Sequence, residues 1–223
     1  MEMTIQEKTL LQQCLLFQEL SMEEIIYFLK ESHSYCKILG KGEMLFYEEE
    51  KVEQIGILLS GSMTIIKMYQ NGNEHLFQKL DTSYIIGAEI ACTKTKISPY
   101  SVQALEDTKI LLFSYQYLEK DGDKDEKIRL KIQHHLLQFI ASENIRKYYK
   151  INILSTHSLR ERILLYLQIQ KRRRGTNYFE IPFDRNQLAN YLCVNRSALS
   201  NELSNMQKEG ILRYHKNRFE LLE

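Results

Sequence analysis

Residues 184–210 read DRNQLANYLCVNRSALSNELSNMQKEG, and their apolar positions are buried together only if two short helices cross at a tight turn. Leu188, Ala189 and Leu192 make one face of the first helix, with Asp184 as its N-cap. Cys193-Val194-Asn195 interrupts the pattern. Asn195 then caps a second helix whose Leu199, Leu203 and Met206 recur at i, i+4 and i+7. Its opposite face carries Arg196, Ser197, Ser200, Asn201, Ser204 and Lys208, with no apolar member. A helix lying close to a base edge needs donors and acceptors near its N-terminal end, and small neighbours that do not hold it away. This is a helix-turn-helix pattern. A helical hairpin with a solvated face shares the apolar spacing, and the flanking segments weigh against it.

Those flanks read as strands. Gly210-Ile211-Leu212 ends the second helix, and residues 211–214 and 218–222 form a hairpin around His215-Lys216-Asn217. Upstream, residues 178–183 (YFEIPF) make a third strand leading into the first helix. Strand, helix, turn, helix, hairpin is the order of a winged helix-turn-helix. The wing tip is basic through Lys216, and Arg185 opens the first helix.

Charge divides along the chain in the same way. Its 223 residues suffice for two domains with separate cores, and the formal charge of +1 hides an asymmetry. Residues 156–223 hold 12 Lys and Arg against 7 Asp and Glu, whereas the rest holds 18 against 22. The basic surplus lies with the helix-turn-helix, as expected where phosphate is contacted. Much of it comes from Lys171-Arg172-Arg173-Arg174, a run that also suits an ordinary solvated helix end. No segment is apolar for long enough to span a bilayer, and the first 20 residues lack a signal peptide's apolar core, so a cytoplasmic protein is expected. Cys14, Cys36, Cys92 and Cys193 show no metal-binding spacing and read as reduced core or half-buried residues. The six histidines form no H-x-H or H-x-x-x-H pair.

The first half has another texture. Residues 5–31 are helical with a break at Leu20-Ser21, where Ser21 and Glu24 make a capping box for a helix over 22–30. Short apolar segments then follow at 43–47, 54–59, 63–69, 75–80, 84–86, 101–105 and 109–115, the spacing of an antiparallel sandwich or roll. Ser60-Gly61-Ser62 marks one turn, and Asn71-Gly72-Asn73 suits a type I′ hairpin. After Asp121-Gly122-Asp123 the period becomes helical. Ile128, Ile132, His135 or Leu136, Phe139, Ser142 and Ile145 or Arg146 recur close to a heptad seam, part of which packs back onto the roll while pairing with a second subunit would bury the stripe. Ser158 with Glu161 makes a second capping box, for a helix running through Gln170.

This order of elements resembles the Crp/Fnr family of bacterial transcription regulators over essentially the whole chain. The local matches are Ile55-Gly56-Ile57-Leu58-Leu59-Ser60-Gly61-Ser62, Asn71-Gly72-Asn73-Glu74, Ser158-Leu159-Arg160-Glu161-Arg162-Ile163 and, most specific, Asn195-Arg196-Ser197-Ala198-Leu199-Ser200. The resemblance implies an α+β chain: a jelly-roll sensor domain over 1–120, a dimerisation helix and hinge over 121–155, and a winged helix-turn-helix over 156–223. It also implies a homodimer on a near-palindromic duplex site, with RNA polymerase as a further partner. Arg196 and Ser197 would meet base edges, Ser200 and Asn201 would lie beside them, and Asn195 would cap the helix or touch phosphate. Arg185, Lys208 and Lys216 complete the expected DNA-binding set. Ile128, Ile132, Leu136, Phe139 and Ile145 are the expected dimer helix. Many relatives have Glu after this Arg and a second Arg where Asn201 stands, so their operator does not carry over.

The family's roll often holds a cyclic nucleotide through a Gly-Glu pair and an Arg on the phosphate. The matching region here is Gly87, Ala88 and Glu89, then Tyr100 and Ser101, with Glu89 one position late. No Arg occurs from residue 1 to 127, and Lys94 and Lys96 are the nearby cations. Cyclic AMP is therefore not expected, no cofactor is assigned, and an N-terminal cysteine cluster for iron–sulfur sensing is absent. Two other classes share parts of this pattern. A roll-type enzyme or metal protein needs a histidine and carboxylate cluster, and residues 1–118 offer only His33 and His75. A nucleotide or small-molecule sensor would use its helical C-terminal domain for protein contacts instead of DNA.

Overall fold

The computed structural model describes residues 3–68, 74–120 and 125–222, in two compact units, Met1–Ser142 and Glu143–Glu223. The expected hairpin at Asn71-Gly72-Asn73 and the break at Asp121-Gly122-Asp123 lie outside the described residues. Each unit is taken by itself.

The first unit opens with α1 (Ile5–Gln13), a 3-10 turn (Leu15–Phe17) and α2 (Met22–Glu31). Both helices begin in full capping boxes, Thr4 with Glu7 and the expected Ser21 with Glu24. The roll follows as β1 (Tyr35–Leu39), β2 (Met44–Phe46), β3 (Gln54–Ser60), β4 (Met63–Met68), β5 (Glu74–Leu80), β6 (Ile85–Ile86), α3 (Ala88–Ala91), β7 (Ser101–Ala104), β8 (Thr108–Ser114) and α4 (Tyr115–Leu118). One antiparallel sheet has the order β1-β8-β3-β6 and the other β2-β7-β4-β5. Seven segments expected from the sequence are strands, and β1 is an addition. Its YCKIL alternates poorly, since Tyr35 and Ile38 are exposed and only Leu39 is buried.

Strand alternation sorts the core into two layers. Ile55, Ile57 and Leu59 of β3, with Leu111 and Phe113 of β8, face the helices and meet Phe17, Ile25 and Phe28. Leu58, Ile110 and Leu112 point the other way, onto Met63, Leu80 and Val102 of the second sheet. With both faces covered, β3 reads as a continuous apolar run. The β3–β4 turn admits only glycine: Gly61 has φ +81, and a Cβ there would sit 2.5 Å from the Asp107 carbonyl oxygen.

Helix α5 (Glu126–Leu154) starts in this unit, and the boundary at Ser142 falls inside it. Its first part closes the helix-side core. Ile132, Leu136 and Phe139 are buried with the roll's own residues, and the His135 ring lies 3.2 Å from the Leu16 carbonyl oxygen. The stripe, expected to pack in part on the roll and to pair with a second subunit, divides along its length. Its central residues are buried within the protomer, Ile128 is half-buried, and Ile145 is exposed. Periodicity identifies a face that must be buried, not the surface that covers it. A buried cluster fixes the helix start: Asp125 accepts from the Tyr117 hydroxyl and from Arg129, whose second nitrogen donates to the Lys120 carbonyl at 2.9 Å.

The second unit contains the rest of α5, then α6 (Leu159–Arg174), β9 (Tyr178–Glu180), α7 (Arg185–Tyr191), α8 (Arg196–Lys208), β10 (Leu212–His215) and β11 (Arg218–Leu221). The strands pair antiparallel in the order β10-β11-β9. Leu188, Ala189, Leu192, Leu199, Leu203 and Met206 are all buried around Ile163, Tyr166 and Leu167 of α6. Ser158 takes the N-cap position of α6, but its side chain makes no cap bond, so the second expected box is not formed. Arginines hold that helix instead. Arg162 donates to the Thr156 carbonyl, and Arg160 reaches Glu202 and Glu209 at 2.6 Å each.

Candidate nucleic-acid interface

The turn between α7 and α8 is set from both sides. Asp184 accepts the Gln187 N–H at 2.8 Å while the Gln187 side chain accepts the Asp184 N–H at 2.9 Å, a complete box where only the cap was expected. After Leu192 the chain turns through Cys193 at φ +54, and the Val194 N–H returns to the Ala189 carbonyl at 3.0 Å. Asn195 then occupies the N-cap of α8 with extended backbone, without a side-chain cap bond. Its amide is left facing outward at the positive end of the helix. At the other end, the Ile211 N–H bonds the Met206 carbonyl at 3.0 Å around Gly210.

Burying Leu199, Leu203 and Met206 turns Arg196, Ser197, Asn201, Ser204 and Lys208 outward. Among the described residues, the Arg196, Ser197, Asn201 and Lys208 side chains make no hydrogen bond or ion pair. Ser200 is half-buried, and Ser204 is already used, donating to the Ser200 carbonyl at 2.9 Å and meeting the Tyr214 hydroxyl at 3.3 Å. Arg160, bonded at once to Glu202 in the middle of α8 and Glu209 just past its end, braces the helix from behind. The sequence placed Arg160 in a motif but did not reveal this role, because its two partners lie over 40 residues away.

The wing is tied to the same surface. Lys216 is exposed at the tip with φ +54. Arg185 is half-buried, lies 4.8 Å from the Tyr214 ring centre, and donates to the Lys216 carbonyl at 3.2 Å. Burial holds the Arg185 pKa below the usual guanidinium value, and the positive charge of Arg196 acts in the same direction. Through its bond to Lys216, Arg185 ties the start of α7 to the wing tip.

The residues expected to line an effector pocket come together in the roll. Gly87, at φ +78, precedes α3, and Ala88 is fully buried. The Tyr100 hydroxyl donates to the Glu89 carboxylate at 2.6 Å. The buried Ser101 hydroxyl accepts the Glu48 N–H at 2.8 Å. Burial, reinforced by Glu89, pushes the Tyr100 phenol far above its usual range, so it stays a donor. The group offers a carboxylate, a phenol and a hydroxyl, and Lys96 pairs elsewhere, 3.7 Å from Glu53. Among the described residues, no three His, Cys, Asp or Glu converge as possible metal ligands, and no helix is long and apolar enough to cross a membrane. Cys14 is buried, which pushes its thiol up to about 11. Cys92 and Cys193 are exposed, contrary to the core or half-buried placement expected of all four, because they sit in the turns ending α3 and α7.

A winged helix-turn-helix with an open Arg, Ser and Asn face, in one chain with a double-sheet roll, defines a class of ligand-domain DNA-binding regulators. Residues 36–120 match the cyclic nucleotide-binding domain family, and residues 161–223 match the Crp-like helix-turn-helix domain family. Transcriptional activator protein FnrA of Stutzerimonas stutzeri is 24% identical over 179 residues, covering 78% of this chain and 71% of that protein. The catabolite activator protein of Thermus thermophilus superposes with a TM-score of 0.54 at 22% identity over 93% of each chain. The c-di-GMP responsive global regulator CLP of Xanthomonas campestris gives 0.61 at 15% identity, over 90% of this chain and 99% of that one. At those identities the two structures speak for the fold. The chain belongs to the Crp/Fnr family of DNA-binding transcription regulators.

Proposed function

We propose that the protein acts as a homodimer and places two copies of α8 in successive major grooves of a near-palindromic site. What supports this reading is the open face itself: a guanidinium, a hydroxyl and an amide at the start of α8, bonded to nothing within the described protein. Arg196 and Ser197 reach base edges, Ser200 and Asn201 lie beside them, and Asn195 meets phosphate at the helix N-terminus. Lys208 and Lys216 contact backbone phosphates, and Arg185 holds the wing that carries Lys216. The division of labour follows the chain, with sensing in 1–120, pairing in 121–155 and reading in 156–223.

The pairing surface keeps Ile145 of the expected stripe and adds other exposed residues of α5. The large apolar residues left exposed along α5 are Leu130, Leu137, Ile145, Tyr148 and Ile151, with Leu130 and Leu137 one heptad apart. A second copy of this helix covers them. A signal at the roll then alters DNA affinity only as far as it favours one arrangement of the pair over another.

The test is fluorescence anisotropy with duplex from the chain's own upstream region, against every single-base variant of each half-site. Arg196→Ala should cost about 1–3 kcal/mol at one base pair per half-site and leave the other positions discriminated. Unchanged discrimination at all positions would remove Arg196 from the reading face.

A further inference from the structure

A cleft of about 370 Å³ opens in the roll beside Gly87, against which Val52 and Gln54 of its lining pack. Its apolar lining comes from Leu45, Phe46, Val52, Gly56, Ile86 and Leu112, at the end of the space between the two sheets. That volume falls within the range of small-molecule sites, roughly 300–1,000 Å³.

Several polar groups around its mouth are already matched. The Tyr35 hydroxyl donates to Gln54 at 2.9 Å. Lys51 pairs with Glu53 at 3.0 Å, and Glu53 lies between Lys51 and Lys96. One Glu50 oxygen accepts the Tyr47 N–H at 2.9 Å. Lys37 is half-buried in β1, opposite Ile110 in register, and lines the cleft. Its ammonium has no hydrogen bond or ion pair among the described residues. A half-buried cation above an apolar floor is stabilised most by an anion that also covers that floor.

We infer that this cleft binds a small monoanion with a flat apolar body, a carboxylate or sulfonate whose charge pairs with Lys37 while its body rests on Phe46, Ile86 and Leu112. Glu50 opposes a second negative charge, which selects monoanions over phosphate-like dianions.

Two dyes test the inference on the full chain without DNA, so the outcome is independent of the DNA-reading proposal. Anilinonaphthalene sulfonate carries the anion, and N-phenylnaphthylamine is its uncharged analogue. Each is titrated by fluorescence into the wild type, Lys37→Gln, Glu50→Gln, Ser114→Trp and the outlying control Lys41→Gln, with circular dichroism confirming the fold. Lys37→Gln should weaken the sulfonate about tenfold and leave the neutral dye unchanged. Glu50→Gln should tighten the sulfonate, Ser114→Trp should exclude both dyes from the cleft mouth, and Lys41→Gln should change neither. Equal sulfonate affinity in the wild type and Lys37→Gln, or no saturable binding at all, would overturn the assignment. Should Ser114→Trp fail to fold, the Lys37 and Glu50 pair still decides.

Discussion

Cys193 holds a backbone conformation, φ +54, that costs an ordinary L-residue about 1–2 kcal/mol and costs glycine nothing. Its side chain is exposed and contributes no core contact, so Cys193→Gly should stabilise the chain by about 0.5–1 kcal/mol once the greater freedom of glycine when unfolded is subtracted. A urea midpoint lower than the wild type's would show that the thiol has a structural partner. The cap residues mark how far single positions could be read from the sequence. Ser21 and Asp184 make the bonds their patterns announce, whereas Ser158 and Asn195 occupy cap positions without side-chain bonds. A cap pattern identifies where a helix starts; whether the bond forms depends on what else competes. Arg196 was legible as an outward residue because Leu199 and Leu203 fix the inward face. Arg185 was not legible as the wing's anchor, since Tyr214 and Lys216 lie far along the chain.

Among the elements, α5 carries the sharpest difference between pattern and packing. Its stripe was visible, but the roll covers Ile132, Leu136 and Phe139. The Asp125 and Arg129 pair anchors that packing with side chains 3% and 2% exposed. Burial alone would raise the Asp125 pKa; hydrogen bonds from Tyr117 and Arg129 outweigh it and hold the carboxyl below the usual aspartate value. The pair's contribution is therefore complete above about pH 4, the unfolded aspartate value, and is lost as pH falls through the lower folded value. Asp125→Asn should cost about 3 kcal/mol at pH 7, and the gap to wild type should narrow below about pH 4. Urea titrations from neutral to acid pH read both effects. A gap constant down to the lowest pH would show that this ion pair does not set the acid limb.

At the scale of the whole molecule, association follows from what α5 leaves uncovered. Leu137 is 66% exposed and Tyr148 also 66%, a large apolar display for one helix. Leu137→Glu combined with Tyr148→Glu touches no described core residue. It should shift sedimentation from dimer to monomer with an unchanged circular dichroism spectrum, and a dimer surviving both charges would place the seam elsewhere. Selection from a random duplex library tests the twofold pair of arginine-led helices most directly. The wild type should enrich inverted half-sites about 10 base pairs apart centre to centre, and Arg196→Ala should lose one informative position in each half. Enrichment of a single half-site, or an identical motif from Arg196→Ala, would contradict it.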